Sequence, residues 1–291
     1  MVKNILMSVA LSTILGSCST SQNKKSITNK KEVKMETKSN KTKVVELLNS
    51  IETGDTKPVA YINPKKYTQH NLAVGDGLAG FGEVLGQLPK GSAKVAVIRA
   101  FEDGDYVFTH TKYNFFGPKA GFDVFKFENG LIVAHWDNLQ EIVEKTVSGR
   151  TQFDGTTEIT DLDKTAANKI LVKNFVSDIL MGANPNKITD YISTETYLQH
   201  NPNVGDGLDG LGKALEELAK AGMPMKFTKN HKILGEGNFV LSISEGEFLK
   251  KHVAFYDLFR IKNGKIVEHW DTIEEIPTKE NHKNNNGKFN F

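Results

Sequence analysis

The feature that most constrains the fold of this chain is an internal repeat. The segment "YTQHNLAVGDG" at residues 67–77 returns as "YLQHNPNVGDG" at residues 197–207, an offset of 130. A second segment, "FDVFKFENGLIVAHWD" at residues 122–137, returns as "YDLFRIKNGKIVEHWD" at residues 256–271, an offset of 134. Solenoid repeats are roughly 20–50 residues long, so a period this long predicts two similar domains in tandem.

Each repeat has helices first and antiparallel strands after them, which is the order typical of an α+β domain. Apolar residues at helical spacing extend from Val44 to Ile51 in the first repeat and from Val172 to Leu180 in the second. Alternating apolar residues then predict strands at 105–115 and 238–248. Each repeat is predicted to end with a hairpin, because it contains an Asn-Gly pair, the strongest short-range signal for a two-residue turn. These pairs are Asn129-Gly130 and Asn263-Gly264.

The N-terminal residues are predicted to be a targeting segment that is not part of the fold. Lys3 precedes a mostly apolar stretch over residues 5–15, a layout typical of a secretory signal and too short for an ordinary membrane span. "LGSC" at residues 15–18 resembles a bacterial lipobox, in which Cys18 is lipidated and becomes the mature N-terminus. The alternative is a plain signal peptide with an incidental cysteine. We predict a signal peptide over 1–17 and an exported lipoprotein anchored in a membrane of a bacterial envelope.

Composition predicts two folded domains behind a flexible tether. Residues 18–41 are mainly Ser, Thr, Asn and Lys and bury too little apolar surface to offset their ordering entropy. We predict domains at 42–147 and 164–291, the second with a C-terminal tail, joined by a linker at 148–163. A net charge of +2 without a basic stripe argues against nucleic acid as a partner. Cys18 is the single cysteine, so no disulfide forms within the chain.

A short motif follows the closing hairpin of each repeat. "GRTQF" at residues 149–153 and "GKFNF" at residues 287–291 share a glycine, a basic residue and a phenylalanine, at an offset of 138. The motif predicts equivalent structure after each sheet. The alternative is a frayed, Asn-rich end, because chain termini usually fray.

One carboxylate in each hairpin is the first candidate for chemistry. With regular strands, the Asn-Gly turn places Asp123 opposite Trp136 and Asp257 opposite Trp270. Burial beside a tryptophan would raise the pKa of each carboxyl and make it a candidate general acid or base. The alternative is an aspartate that only hydrogen-bonds to backbone groups and fixes the strand.

Two histidines of the hairpins are further candidates. In the same regular register, His135 and His269 lie on the face opposite to the first pair of aspartates. A β-bulge, which is common near active sites, would reverse that assignment. Asp137 and Asp271 follow two residues later and are candidates to hold the imidazoles. The alternative is that each His-Trp-Asp segment belongs to the surface or to an interface.

The other histidines lie outside the hairpins. His70 and His200 precede the two GDG loops, where they would either cap the mouth of a pocket or only fix the loop. His110 has Ile243 as its counterpart, so the first repeat has a polar group that the second lacks. This difference predicts that the first repeat is the more active one.

The sequence gives no support for a metal or a cofactor. Its eight histidines show no tight HxxxH or HxH spacing. No strand leads into the glycines of "GDGLAGFG" at residues 75–82, so a dinucleotide-binding fingerprint is not indicated. No nucleophile elbow, phosphate loop or CxxC motif is present. We therefore predict neither a metal nor a cofactor.

The combination of "YLQHNP" with "DLFRIKNGKIVEHWD" resembles the SnoaL-like polyketide cyclase family of the nuclear transport factor 2 superfamily. The resemblance covers about residues 43–145 and 165–277. It implies two cone-shaped domains, each a curved antiparallel sheet around N-terminal helices, with one apolar pocket per domain. Cyclases of this family close rings by an intramolecular aldol reaction without metal or cofactor. The first repeat departs from the second in having Leu72 for Pro202 and Ala134 for Glu268.

Two classes of function follow. In the first, each pocket carries out acid–base chemistry of aldol, cyclase or isomerase type on a small carbonyl compound. In the second, a non-catalytic lipoprotein binds a small apolar ligand or an interaction partner at the cell surface. The two domains are expected to pack on each other, and oligomerisation stays open. The catalytic candidates are Asp123, His70, His110, His135, Asp137, Asp257, His200, His269 and Asp271, and the pocket candidates are Tyr67, Gln69, Trp136, Tyr197, Gln199 and Trp270.

Overall fold

The repeat in the sequence is matched by a repeat in the fold of the computed structural model. The structure describes residues 38–88 and 91–291, so the predicted signal peptide, the predicted lipidation site Cys18 and most of the predicted tether lie outside the described residues. Within that range, helices followed by strands occur twice, which confirms the α+β prediction. Among the helices described, none has the length and apolar character that crossing a bilayer requires.

The described part of the first domain contains two α-helices and five strands. Helix α1 begins two residues before the predicted start of the domain. A 3₁₀ turn (Lys57–Tyr61) follows it. The elements are α1 (Asn40–Thr53), β1 (Thr68–Gln69), α2 (Gly77–Gln87), β2 (Lys94–Asp103), β3 (Tyr106–Asn114), β4 (Pro118–Glu128) and β5 (Leu131–Glu141).

The second domain repeats this order with one additional short helix. Its first helix continues into a π-helical turn (Val176–Leu180). The elements are α3 (Thr165–Phe175), α4 (Ile188–Tyr191), β6 (Leu198–Gln199), α5 (Gly207–Lys220), β7 (Lys226–Glu236), β8 (Phe239–Phe248), β9 (Lys251–Lys262) and β10 (Lys265–Glu275).

Both sheets have the same topology. The strand orders are β1-β5-β4-β3-β2 and β6-β10-β9-β8-β7. The four long strands of each sheet are antiparallel, whereas the two-residue strand at one edge pairs in parallel with the last long strand. That short strand is formed by the Thr-Gln or Leu-Gln step of the first repeated motif. The QHN segment of each domain is therefore held beside its closing hairpin.

Helix α1 has favoured residues at both of its ends and an apolar stripe that is buried. Ser39 accepts a hydrogen bond from the Thr42 amide at 3.1 Å, and Gly54 ends the helix with φ 72°. A side-chain oxygen at the N-cap and a glycine in the left-handed region are the favoured helix ends. The apolar stripe of the helix, including Val44 and Leu47, is buried against the sheet.

A β-bulge changes the predicted register of both closing hairpins. The Asn-Gly turns form as predicted, with Phe127 paired to Ile132, but the next pair joins Lys126 to Ala134. Val133 is therefore an extra residue on β5, and Val267 is its counterpart on β10. Because side chains alternate between faces, one extra residue moves all later residues of that strand to the other face. The predicted pairing of Asp123 and Asp257 with the tryptophans is wrong.

The bulge places the two carboxylates of each hairpin opposite each other. Asp123 pairs with Asp137, and Asp257 pairs with Asp271. The side chains of His135 and His269 point to the same face as these aspartates, as the bulged alternative predicts.

The two faces of each sheet have different partners. One face packs on the helices of its own domain and forms that domain's core. The other face packs against the sheet of the second domain in a core cluster that both domains share. This shared cluster includes Phe108, Phe122 and Trp136 from the first domain and Leu241, Tyr256 and Trp270 from the second.

The segment after the first sheet binds to the QHN loop of the second domain. Ser148 Oγ donates to the Gln199 carbonyl at 2.8 Å, and His200 Nδ1 donates to the Thr151 carbonyl at 2.8 Å. Trp270 Nε1 donates to the Asp154 carbonyl at 2.9 Å.

The C-terminal segment makes the reciprocal contacts with the first domain. Asn286 Nδ2 donates to the Gln69 carbonyl at 2.9 Å, and His70 Nδ1 donates to the Gly287 carbonyl at 2.7 Å. Phe291 stacks on Trp136 with 4.6 Å between ring centroids. Each segment, residues 147–154 or 283–291, is a strap that holds the QHN loop of the other domain. The "GRTQF" and "GKFNF" motifs are not aligned in the structure, because the equivalent contacts are made by Val147 and Lys283 and by Thr151 and Gly287, an offset of 136 and not 138.

Candidate functional site

Each domain contains a cavity between its helices and the inner face of its sheet. The cavity of the first domain has a volume of about 110 Å³ and that of the second about 230 Å³. A 150 Å³ apolar cavity is known to hold benzene, so the second cavity is large enough for a small organic ligand. The polar side chains on the walls are Tyr67, Gln69, Asn71, Tyr113, Asp123, His135 and Asp137 in the first domain and Tyr197, Gln199, Asn201, Asp257, His269 and Asp271 in the second.

The predicted site residues divide into two groups. Those that line a cavity are Asp123, His135, Asp137, Tyr67 and Gln69 and, in the second domain, Asp257, His269, Asp271, Tyr197 and Gln199. The remaining candidates, His70, His110, Trp136, His200 and Trp270, are not among the cavity-lining residues. The bulge explains the position of the two tryptophans, because it turns them toward the other domain's sheet.

Two of the histidines predicted as site residues bind the straps and do not line a cavity. His70 stacks on Trp136 at 4.3 Å, and burial lowers the pKa of its imidazole. His200 stacks on Trp270 at 4.7 Å and contacts Glu268 Oε1 through Nε2 at 2.9 Å. Their carbonyl partners are in the straps, so these histidines fix the QHN loops.

His110 lies between the two sheets. Its Nδ1 is 3.2 Å from Arg99 Nη1, and its ring stacks on Phe122 and Phe153. Burial and, after it, the positive charge of Arg99 hold the pKa of His110 well below its ordinary value. The candidate His110 does not line the cavity. It lies three positions before Tyr113 on β3, and because side chains alternate along a strand, its side chain is on the face opposite to the cavity. This placement removes the reason to expect the first domain to be the more active one.

In the second domain, His269 connects an amide and a carboxylate. Its Nδ1 donates to Gln199 Oε1 at 3.0 Å, and its Nε2 lies 3.1 Å from Asp257 Oδ1. Gln199 is itself fixed, because its Nε2 donates to the Tyr197 hydroxyl oxygen at 2.9 Å. Asn201 Nδ2 donates to Asp271 Oδ2 at 2.6 Å.

The charges of this cluster are set by burial and by mutual contact. Burial, the largest influence, lowers the pKa of His269, but the hydrogen bond to Asp257 and the charges of Asp271 and Asp257 together raise it above 6.5. Burial raises the pKa of Asp271 to about 6, although the charge of His269 opposes this. A carboxyl with a pKa near 6 is ionised at neutral pH and still basic enough to accept a proton.

Two carboxylate oxygens of the second domain are buried without a hydrogen-bond partner. These are Asp257 Oδ2 and Asp271 Oδ1, and neither has a partner among the residues that the structure describes. Buried polar atoms are nearly always paired, so an unpaired oxygen at a cavity wall indicates a place for a ligand group or a proton. Tyr197 complements them, because burial and the charges of Asp257 and Asp271 raise the pKa of its phenol and keep the O–H protonated.

The equivalent carboxylate of the first domain is more fully occupied. Asp123 Oδ2 accepts from the Tyr113 hydroxyl at 2.6 Å and from Thr109 Oγ1 at 3.3 Å, while Asp123 Oδ1 lies 3.2 Å from His135 Nε2. Asp137 Oδ1, like Asp271 Oδ1, is buried without a hydrogen-bond partner among the described residues, but it lies 3.8 Å from the ammonium of Lys288, a residue of the C-terminal strap. Arg150, the basic residue of the "GRTQF" motif in the other strap, pairs with Asp206 at 2.9 Å.

The two cavities differ because an aromatic ring comes from a different strand in each domain. In the first, the Tyr113 ring on β3 lies over Gly121 on β4, where a Cβ would come within 2.8 Å of it. In the second, the small residue is Gly246 on β8 and the ring is Phe255 on β9. Phe255 has no hydroxyl, so Asp257 lacks the bond that Asp123 receives.

Each Asp-His-Asp cluster has ligand atoms that lie within 4.8 Å of one another, a spacing that can hold a metal ion. Imidazole and carboxylate are common zinc ligands. In the second domain, however, both imidazole nitrogens are already within hydrogen-bond distance of Gln199 and Asp257. A metal would have to displace one of these contacts, and the absence of a metal stays a prediction.

Several residues of the site were not among the sequence candidates. Asn71 and Asn201 hold the second aspartate of each pair, and their repetition in "QHN" was a usable signal. No sequence signal identified Tyr113 or Lys288. The role of Tyr113 depends on which strand carries the aromatic ring, and that of Lys288 depends on the path of the C-terminal strap.

Comparison with known proteins shows similarity in structure only. No family model matches the sequence, and no curated protein matches it either. One similar solved structure is an NTF2-like protein of unknown function from Cytophaga hutchinsonii, which has 16% sequence identity over 35% of this chain and 90% of that one, with a TM-score of 0.31. IdmH from Streptomyces antibioticus, described as a candidate polyketide cyclase, has 16% identity over 36% of this chain and 91% of its own, with a TM-score of 0.29. An LEH-like epoxide hydrolase of M. tuberculosis has 19% identity over 38% of this chain and 85% of its own, with a TM-score of 0.30. At this level the likeness carries no information about the reaction.

Proposed function

We propose that the second domain binds a small carbonyl compound in its cavity and catalyses proton transfer next to the carbonyl group. The observation that supports this most strongly is the pair of unpartnered oxygens, Asp257 Oδ2 and Asp271 Oδ1, on the wall of an apolar cavity. Two convergent polar groups in a largely apolar cavity distinguish a candidate active site from a simple binding pocket.

Asp271 is the proposed base. Its carboxylate removes a proton from the carbon next to the carbonyl, and the electron pair moves to the carbonyl oxygen as the enolate forms. The Tyr197 hydroxyl donates a hydrogen bond to that oxygen, because its own oxygen already accepts from Gln199. Asp257 and His269 balance charge beside the base. Return of the proton from Asp271 to a different carbon of a conjugated enolate completes an isomerisation. Attack of the enolate on a second carbonyl group is an aldol step, and the resulting alkoxide takes up the proton.

The first domain is proposed to be a non-catalytic partner. Tyr113, Thr109 and His135 occupy the oxygens of Asp123, and the cavity of about 110 Å³ is smaller than one that holds benzene. The non-catalytic reading from the sequence therefore fits this domain.

A simple probe tests the proposed reaction without knowledge of the natural substrate. Full-length protein is incubated with 2-butanone in D₂O, and loss of the α-proton signal is followed by NMR. A positioned base contributes about 10²–10⁴-fold to proton transfer, so Asp271→Asn should remove most of the acceleration over buffer. Asp137→Asn, the equivalent change in the first domain, should leave the acceleration in place. Equal exchange by wild type and Asp271→Asn would refute the assignment of the base.

We also propose that Cys18 is lipidated and anchors the protein in the bacterial envelope. The support is the sequence around Cys18, which resembles a lipobox and precedes a polar tether. Metabolic labelling with a fatty acid should mark the wild type and not Cys18→Ala. Absence of label in the wild type would overturn this proposal.

A further inference from the structure

The cavity of the second domain opens into a larger groove. The groove has a volume of about 510 Å³ and shares lining residues with the cavity. The shared residues are Asn201, Val204, Ala214, Leu218 and Met225. One of them, Asn201, also holds Asp271, so the groove begins beside the proposed base.

Helix α5 lies along both chambers and buries its apolar stripe only in part, with Leu208 and Leu211 half-buried against the domain core. Leu211 and Leu215 face the inner cavity, and Leu218 lies on the wall of both chambers. None of the fourteen residues of α5 is buried, and Leu215 is 48% exposed. An amphipathic helix normally buries such a stripe against a core, as α1 does. The partly exposed apolar side chains of α5 are therefore suited to contact an apolar ligand.

The charges of the groove favour an uncharged ligand. Its floor is apolar and includes Phe248, Val253 and Ile273. At its rim, Lys251 is paired with Glu275 at 2.5 Å, and Glu217 adds a further negative charge. An anionic ligand would meet acidic groups both here and at the inner aspartates.

We propose that the ligand of the second domain is an elongated, uncharged, mainly apolar molecule whose carbonyl end lies in the inner cavity and whose chain extends along α5 into the groove. This inference rests on the proposed function for the position of the carbonyl end. The seven steps from Leu211 to Leu218 correspond to about 10 Å along the helix, so the ligand should be at least that long. Leu249, which is 43% exposed, lines the groove and not the inner cavity.

Calorimetric titration of full-length protein with 2-butanone, 2-octanone and 2-dodecanone tests the inference. Burial of one methylene corresponds to about fourfold in affinity, so Kd should fall steadily with chain length up to the longest ketone. Leu249→Asn should weaken 2-dodecanone and leave 2-butanone unchanged. Asparagine tolerates the φ of 50° at this position, so the variant should fold. The matched control is Phe116→Asn at the equivalent turn of the first domain, also at φ 50°, which should change neither Kd.

The outcomes separate the two proposals. Affinity that stops rising beyond 2-octanone in wild type and variant alike would overturn the extended ligand and leave the carbonyl site intact. Failure of all three ketones to bind would overturn both. Decanoate should bind more weakly than 2-decanone, and equal affinity would contradict an uncharged ligand.

Discussion

Tyr113 donates a 2.6 Å hydrogen bond to Asp123 Oδ2, and no residue of the second domain makes the equivalent bond to Asp257 among those that the structure describes. The cause is the exchange of ring and glycine between neighbouring strands, which leaves Gly246 in the place of Tyr113. Duplicated sequence motifs therefore produce one domain with a satisfied carboxylate and one with a free carboxylate.

Tyr113→Phe should destabilise the protein by about 1.5–3 kcal/mol, because it removes a buried hydrogen bond to a charged group and keeps the ring. Urea unfolding monitored by circular dichroism measures the change. Tyr106→Phe is the control, since the Tyr106 hydroxyl makes no hydrogen bond with a described residue, and it should change the free energy of unfolding by less than about 0.5 kcal/mol. Equal losses in the two variants would show that the Tyr113 hydroxyl has no special role.

Stability should depend on pH through Asp271. Its pKa in the folded chain, about 6, lies above its ordinary value of 3.8, so the folded chain holds a proton that the unfolded chain releases. The stability from that proton is present below about pH 4 and is lost as pH rises to about 6. Asp271→Asn cannot ionise, so its stability relative to wild type should rise across this window by up to about 3 kcal/mol.

Urea unfolding of both proteins at several pH values between 4 and 7 measures this difference. Asp137→Asn is the matched control. It leaves the buried ammonium of Lys288 without one of its carboxylate neighbours and should be destabilising near neutral pH. A difference between Asp271→Asn and wild type that does not change with pH would contradict burial of this carboxyl.

The crossed straps predict effects that appear in the opposite domain. Ser148→Ala removes a hydrogen bond to the Gln199 carbonyl, and Asn286→Ala removes one to the Gln69 carbonyl. Loss of a hydrogen bond that contributes about 1 kcal/mol should make amide hydrogen exchange about fivefold faster where the loop opens locally. Ser148→Ala should speed exchange at residues 197–206 and Asn286→Ala at residues 67–76. Each variant is the control for the other, and the opposite pattern would contradict the exchange of straps.

The sequence was sufficient for the fold and for the residue types of the site. The repeat, the helix stripes and the Asn-Gly turns predicted two α+β domains with closing hairpins, because these signals act locally. The bulges at Val133 and Val267 could not be predicted, since valine is also favoured in a regular strand. That single extra residue decides whether Asp123 and Asp257 face the cavities with the histidines or the interface with the tryptophans.

Other features depended on tertiary contacts. The contact of Lys288 with Asp137 requires the C-terminal strap to cross to the first domain, and no local signal specifies that path. Strands β2 and β7 were also not predicted. Strand β7 has no clear alternation of apolar residues, with half-buried Lys232 and Ile233 next to each other.

The most direct test of the account is the pH dependence of α-proton exchange from 2-butanone in D₂O, catalysed by full-length protein. The base must be ionised to accept a proton, so the rate should rise with pH through about 6, the pKa of Asp271, and then level off. The same profile should persist in Asp137→Asn and be lost in Asp271→Asn. A rate no faster than buffer at every pH, or a profile unchanged in Asp271→Asn, would contradict proton transfer in the second domain.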